Sequence, residues 1–223
     1  MNRPSLVLVH SPVLGPTSVQ STARALSGLG WICLVPSLTD TPDVGGHVTA
    51  AAAAVPDGAV LVAHSGAGPL VPAIAAHADR RVAGAVFVDA RLPARRGSTA
   101  LAEPAMLDFL AGLAVDGTVP PWSQWWGEGA FEASVPDAEL AARMRSEMRS
   151  LPFDFFRSTV PVPPGWPDTP CAYLRLRPAY DDEAAEARAR GWSAARLDGT
   201  HLDVATRPAT VATALDALLA ELP

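Results

Sequence analysis

Residues 59–72 read Ala-Val-Leu-Val-Ala-His-Ser-Gly-Ala-Gly-Pro-Leu-Val-Pro. The run from Ala59 to Ala63 is apolar and has the length of a buried parallel strand. His64, Ser65, Gly66, Ala67 and Gly68 follow, and from Leu70 to Ala76 the apolar pattern becomes helical. A strand that turns at once into a helix brings two backbones nearly into contact, so small residues must flank the turn. Ala63 and Ala67 stand two residues before and two after Ser65. Such a junction lifts the serine hydroxyl above the sheet edge. The N-terminus of the next helix then directs backbone N–H groups at any anion formed there. A junction that binds a phosphate, or nothing, carries the same small-residue signature.

On either side the chain alternates strand and helix. Ser5–His10 reads as a first buried strand, and Ser11 to Thr17 as a loop rich in Pro and Gly. Thr17 or Ser18 can cap a helix running to about Ser27, with Gly28 as its stop signal. Trp31–Pro36 is a second strand, Pro36–Gly46 a loop and His47–Ala54 a short alanine-rich helix. Arg81–Asp89 is the strand after the elbow helix. Continuously apolar strands alternating with helices define a parallel sheet covered on both faces. Right-handed crossovers place all strand C-termini on one edge, where ligands bind. His10, Ser65 and Asp89 all sit at such ends.

From Ala90 to about Pro170 the alternation stops. Two helical patterns, Leu101–Leu113 and Ala138–Leu151, occur among prolines and aromatics that include Trp122, Trp125, Trp126, Phe131, Phe153, Phe155, Phe156 and Trp166. Alternation resumes with a strand Cys171–Leu176, a helix Asp181–Arg190 and a strand Ser193–Leu197. The loop Asp198-Gly199-Thr200-His201 follows, and Pro208 opens a last helix over Ala209–Leu222.

Composition bounds the rest. The 223 residues suffice for one α/β domain with a full core and a small insertion. All 17 basic residues are arginine, which with heavy alanine and proline use matches a GC-rich bacterial coding bias. The net charge is −6 and the arginines are scattered, which argues against a nucleic-acid partner. Cys33 and Cys171 both lie in apolar strand-like runs, so free thiols are expected, and no metal-ligand spacing is present. No run approaches the roughly 20 apolar residues of a membrane span, and no secretory pattern opens the chain. The expectation is a cytoplasmic protein with no membrane partner.

Ala63-His64-Ser65-Gly66-Ala67 resembles the nucleophile elbow of the α/β-hydrolase superfamily, G-x-S-x-G, with alanine at both glycine positions. The resemblance extends over the whole chain. It implies an α/β-hydrolase fold: a core from residues 1–90 and 170–223, and an aromatic-rich helical cap from 91–169 that roofs the site. Whether the esterase, hydroxynitrile-lyase or haloalkane-dehalogenase branch is nearest stays open. Serine needs a base to take its proton, and the base needs a carboxylate to fix its tautomer. His201, in the loop after the last strand, stands where the family places the histidine. Asp89 resembles the acid position of the dehalogenase branch. Asp181 and Asp182, after the strand Cys171–Leu176, occupy the commoner acid position, but would equally serve as helix caps.

The oxyanion requires two donors. Gly66 N–H is one. The family's second donor follows a His-Gly pair that here reads His10-Ser11, and the next residue, Pro12, has no N–H. The donor must then be Val13, the Ser11 hydroxyl, or absent. His10, Ser11, Pro12, His64, Trp122, Trp125 and Trp126 are the residues expected to line the substrate site, whereas His47 and His77 are expected on the surface. The family implies a cofactor-free serine hydrolase acting on an ester or thioester of a mostly apolar small molecule. Two alternatives remain: a lyase or cyclase that moves protons with Ser65 and His201, and a catalytically inactive binding protein. A homodimer is left open.

Overall fold

The computed structural model describes residues 3–222, the side chain of residue 167 excepted. Strands β1 (Leu6–Val9), β2 (Cys33–Leu34), β3 (Ala59–His64) and β4 (Val82–Val88) alternate with helices α1 (Thr17–Gly28), α2 (Val44–Ala53) and α3 (Val71–His77). The segment after β4 holds β5 (Gly97–Ala100), α4 (Pro104–Leu113), β6 (Thr118–Val119), α5 (Ala130–Ser134), α6 (Ala138–Glu147), β7 (Leu151–Pro152), α7 (Phe153–Arg157) and β8 (Thr159–Val162). The chain closes with β9 (Cys171–Arg175), α8 (Asp181–Ala189), β10 (Ser193–Arg196), α9 (Asp203–Thr206) and α10 (Pro208–Glu221). The central sheet runs β10-β9-β4-β3-β1-β2, with every pairing parallel.

The strands are apolar throughout because both faces are covered. Successive residues of β1 and β3 point to opposite sides. Val7, Val9, Leu61 and Ala63 join a core under α2, α3 and α8, while Leu6, Leu8, Val60 and Val62 join a second core under α1 and α10. Register then fixes the site. His64 is paired with Val88, so the next residues, Ser65 and Asp89, leave adjacent strands at one level.

Several local expectations are corrected. The second strand shrinks to two residues on the sheet edge, where only β1 pairs with it and Ile32 and Leu34 stay exposed. Helix α2 starts three residues earlier than expected, because the Asp43 side chain accepts from Gly46 N–H and caps it. Neither Thr17 nor Ser18 caps α1. Its N-cap is Pro16, and the Thr17 N–H donates instead to Glu147 of α6, 2.8 Å away. The segment after β4 is not purely helical: β5 and β8 pair antiparallel, as do β6 and β7.

That segment packs on the core at two places. Phe131, Leu140 and Met144 meet Leu14, Leu202 and Ala205, and Val13 with Trp122 lie between this cluster and one built from Leu110, Trp125, Phe155 and Phe156. Glu147 fastens the first contact by accepting from both Thr17 N–H and Thr17 Oγ1, the latter at 2.6 Å. Gly15, at φ +79, has no room for a side chain because a Cβ there would meet Glu147. Among the described residues no helix is long and apolar enough to cross a membrane.

Candidate active site

Ser65 follows β3 directly in the left-handed region, at φ 59, and opens the tight turn Ser65–Leu70 that leads into α3. A non-glycine residue in that region is costly, and the elbow geometry is what holds it there. Ala63 and Ala67 are fully buried where the family pattern has glycine. The glycine the turn does require is Gly68: a Cβ there would overlap the carbonyl oxygen of Arg91.

The Ser65 Oγ lies 2.8 Å from His201 Nε2, and His201 Nδ1 lies 2.7 Å from Asp89 Oδ2. Asp89 is fully buried, also at positive φ (44), and its other oxygen accepts from Leu176 N–H and Arg177 N–H at 2.9 and 3.1 Å. The Arg177 Nε stands 3.5 Å from Asp89 Oδ2. With Asp89 Oδ2 facing Nδ1, the imidazole carries its proton on Nδ1 and presents an unprotonated Nε2 to the serine hydroxyl. Burial pushes the His201 pKa below its ordinary value, against the pull of Asp89. The ring is therefore neutral and basic near neutral pH. The loop bearing His201 is braced from below: buried Asp203 accepts from Thr200 Oγ1 at 2.8 Å and from Arg207 at 3.1 Å.

Asp181 and Asp182 are placed elsewhere, in the first turn of α8. Asp181 pairs with Arg175 Nε at 2.6 Å, a buried guanidinium that also meets Asp198.

The other histidines divide sharply. His10 is fully buried: Nδ1 donates to Ser11 O at 2.8 Å and Nε2 accepts from Leu38 N–H at 3.1 Å, which leaves no nitrogen for a ligand. Burial lowers its pKa to about 4. His64 lies beneath His201, with ring centroids 4.6 Å apart, and its Nε2 donates to His201 O at 3.0 Å. Burial and the neighbouring His201 hold its pKa well below 6.5. His47 corrects the sequence expectation. It is 1% exposed, bonded through Nε2 to Thr41 O at 2.7 Å and packed edge-on against Phe155, whereas His77 is exposed.

The loop after β1 abuts the elbow. The atoms nearest a Cβ built on Gly66 are Ser11 Oγ at 3.1 Å and Pro12 Cδ at 3.7 Å. The proline ring carbon thus stands beside the serine's neighbour where another residue would offer an N–H. Leu14 N–H is committed to Ser11 O, while among the described residues Val13 N–H and the Ser11 hydroxyl have no partner. Trp122 is half-buried beside Val13. Trp125 is buried with its indole donating to Pro120 O at 2.8 Å, and Trp126 is 48% exposed, stacked on Phe109. A separate cavity of about 510 Å³ lies between α2, α3 and β8, and none of the site residues lines it.

Tyr180 and Arg177 gave no sequence signal. Tyr180 stacks parallel on His201, 5.5 Å between centroids and 3° between planes, and the Arg177 guanidinium lies 5.3 Å over the Tyr180 ring. Burial and the Asp89 charge raise the Tyr180 pKa above 10. Among the described residues no cluster of metal-ligating side chains occurs.

The chain has the α/β-hydrolase fold. It is similar over 96% of its length to an extracellular α/β-hydrolase from Paenibacillus, itself described as a structural and functional homologue of tobacco salicylic acid binding protein 2. That similarity has a TM-score of 0.76, 16% identity and 98% coverage of the neighbour. A pyrethroid hydrolase from Sphingobium faniae matches at TM-score 0.70 and 18% identity, over 98% of each chain. A methylesterase from Arabidopsis matches at 0.70 and 16%, over 98% of this chain and all of the other. No protein-family model and no curated protein matches the sequence.

Proposed function

We propose that the protein is a cofactor-free serine hydrolase that cleaves an ester or thioester of a mostly apolar small molecule through Ser65, His201 and Asp89. One observation carries this reading: a serine on a strained elbow, 2.8 Å from a neutral imidazole whose far nitrogen meets a buried carboxylate. Serine alone is a weak nucleophile, and this arrangement supplies both base and orienting acid. The structural neighbours, a pyrethroid hydrolase and a methylesterase among them, support the same class.

In the proposed reaction the serine proton passes to His201 Nε2 as Oγ attacks the acyl carbon. Asp89 stabilises the imidazolium, which returns the proton to the departing oxygen or sulfur. Water then repeats the sequence on the acyl-serine. Gly66 N–H is one oxyanion donor, and the Ser11 hydroxyl or Val13 N–H is the second, since Pro12 has none to offer. The segment 91–169 acts as the cap, with Trp122 at the site and its fellow aromatics packing the roof.

Pro12 beside Gly66 favours one second reading, a lyase or cyclase in which Ser65 and His201 only move a proton. Reaction with a fluorophosphonate, read by intact mass, separates the two. The hydrolase reading expects a single adduct on the wild type that is absent from Ser65→Ala and His201→Ala. An unlabelled, folded wild type would refute it.

A further inference from the structure

Ser65 is flanked from opposite sides. The strand order β9-β4-β3-β1 puts the Ser11–Val13 loop on one side of β3, and the residues that follow β9 on the other. Gly66 and Ser11 define the oxyanion side. The opposite side is the one His201 approaches from, and there the leaving group takes its proton. Tyr180 stands on that side. Its ring lies flat on the His201 imidazole and is covered by the Arg177 guanidinium, so the side chain is held between two neighbours. Its hydroxyl lies near Ser65 and Arg177. Tyr180 is only partly buried, which leaves this hydroxyl open to a substrate atom.

We infer that Tyr180 is a further catalytic residue of the proposed hydrolase, its hydroxyl donating a hydrogen bond to the leaving-group oxygen of the substrate, and that the enzyme is built for oxygen esters. The inference rests on the serine-hydrolase reading and narrows it. As the tetrahedral intermediate collapses, the acyl C–O bond breaks and its electron pair goes to the leaving oxygen. His201 Nε2–H transfers its proton to that oxygen. Tyr180 keeps its own proton and shares it as a hydrogen bond, stabilising charge on the oxygen before transfer is complete. The environment suits a donor, because burial and the adjacent Asp89 keep the phenol protonated through the range in which His201 is a base. Sulfur is a weak acceptor. A thiolate leaving group therefore gains little from Tyr180, and this is the property that distinguishes the two ester classes.

The test compares wild type and Tyr180→Phe on phenyl butyrate and S-phenyl thiobutyrate, which share one acyl group. Phenylalanine keeps the ring against His201 and removes only the hydroxyl. The expected result is a fall of roughly 10- to 100-fold in kcat/KM, which reports acylation, for the oxygen ester, and a change of less than about 3-fold for the thioester. The lower pKa of the kcat/KM profile, set by His201, should stay in place. Equal losses on both substrates, no loss on either, or a shifted His201 pKa would each overturn the assignment. A wild type that takes a fluorophosphonate adduct while Tyr180→Phe behaves as wild type removes Tyr180 and leaves the hydrolase reading standing. A wild type that neither labels nor turns over removes both.

Discussion

Adding one methyl group at Gly68 should damage fold and site together. Gly68 has no positive φ, so alanine there meets no intrinsic backbone penalty. The obstacle is space. Its Cβ would overlap Arg91 O, with Arg91 C at 3.1 Å and Ala90 Cβ at 3.2 Å. The obstructing atoms are backbone, and Ala90 O is tied down by the Tyr173 hydroxyl at 2.9 Å, so the strand end cannot simply move aside. Overpacking of this kind costs typically 1–3 kcal/mol, and a rigid neighbour places Gly68→Ala at the upper end, about 3 kcal/mol. For a chain of this size that corresponds to a fall of roughly 6–12 °C in Tm. Relief of the clash displaces residues 89–91, so the 2.7 Å contact between Asp89 and His201 should lengthen and serine labelling should slow. Gly28→Ala is the control. It closes α1 with nothing within 4 Å of its Cβ, and it should stabilise by about 0.5–1 kcal/mol. Calorimetry of the two variants beside wild type decides the matter. A Gly68→Ala midpoint within about 2 °C of wild type would refute the steric argument, because even 1 kcal/mol shifts a domain of this size that far.

Asp89→Asn should retain the hydrogen bonds from Leu176 and Arg177 yet lose the charge facing His201, slowing fluorophosphonate labelling by roughly three to four orders of magnitude. Asp181→Asn should label at the wild-type rate, and a slow Asp181→Asn beside a fast Asp89→Asn would reverse the choice of acid. Glu147→Ala removes the two bonds to Thr17, a loss of about 2 kcal/mol, and limited proteolysis should then cut within residues 130–150 sooner than in wild type. Acid should begin to destabilise the protein through its buried histidines. Burial depresses the pKa of His10, His47, His64 and His201, so the unfolded chain takes up protons first as pH falls below about 6.5. His10, at about 4, contributes stability that is fully present above 6.5 and is lost, to the extent of about 3 kcal/mol, by pH 4. Urea titrations from pH 7 to 4.5 that show no decline would contradict this.

The parts of the fold that are legible in sequence are those that topology constrains. Continuous apolar strands, each followed by a helix, suffice for the parallel sheet and for its C-terminal edge. That is why Ser65 and Asp89 can be placed at the ends of neighbouring strands from the sequence. Legibility fails where a residue's surroundings come from distant chain. The α2 helix, Val-Gly-Gly-His-Val-Thr followed by alanines, has no apolar stripe to show which face is buried, so nothing local reveals that His47 is covered by Phe155. The β5–β8 pair joins segments some sixty residues apart, one of them interrupted by Pro161, and no periodicity links them. Tyr180 lies in Arg-Pro-Ala-Tyr-Asp-Asp, a stretch that reads as a polar loop, and only the packing of β9 against β4 brings it to His201. Asp181 shows the reverse case: its spacing suits an orienting acid, but the buried Arg175 beside it claims the carboxylate.

Ser65 and Asp89 share a property beyond their contact with His201: each occupies a backbone conformation that glycine adopts freely and other residues resist. Each such residue costs on the order of 1–3 kcal/mol. On the serine-hydrolase reading, Ser65→Gly would release strain in the same step that removes the nucleophile, whereas Asp89→Gly would also leave Leu176 N–H and Arg177 N–H without their acceptor. One mutational route to a sturdier molecule therefore passes, on that reading, through an inert one. On that reading, a lineage of this chain selected only for persistence would surrender Ser65 early, and keeping it trades robustness for turnover.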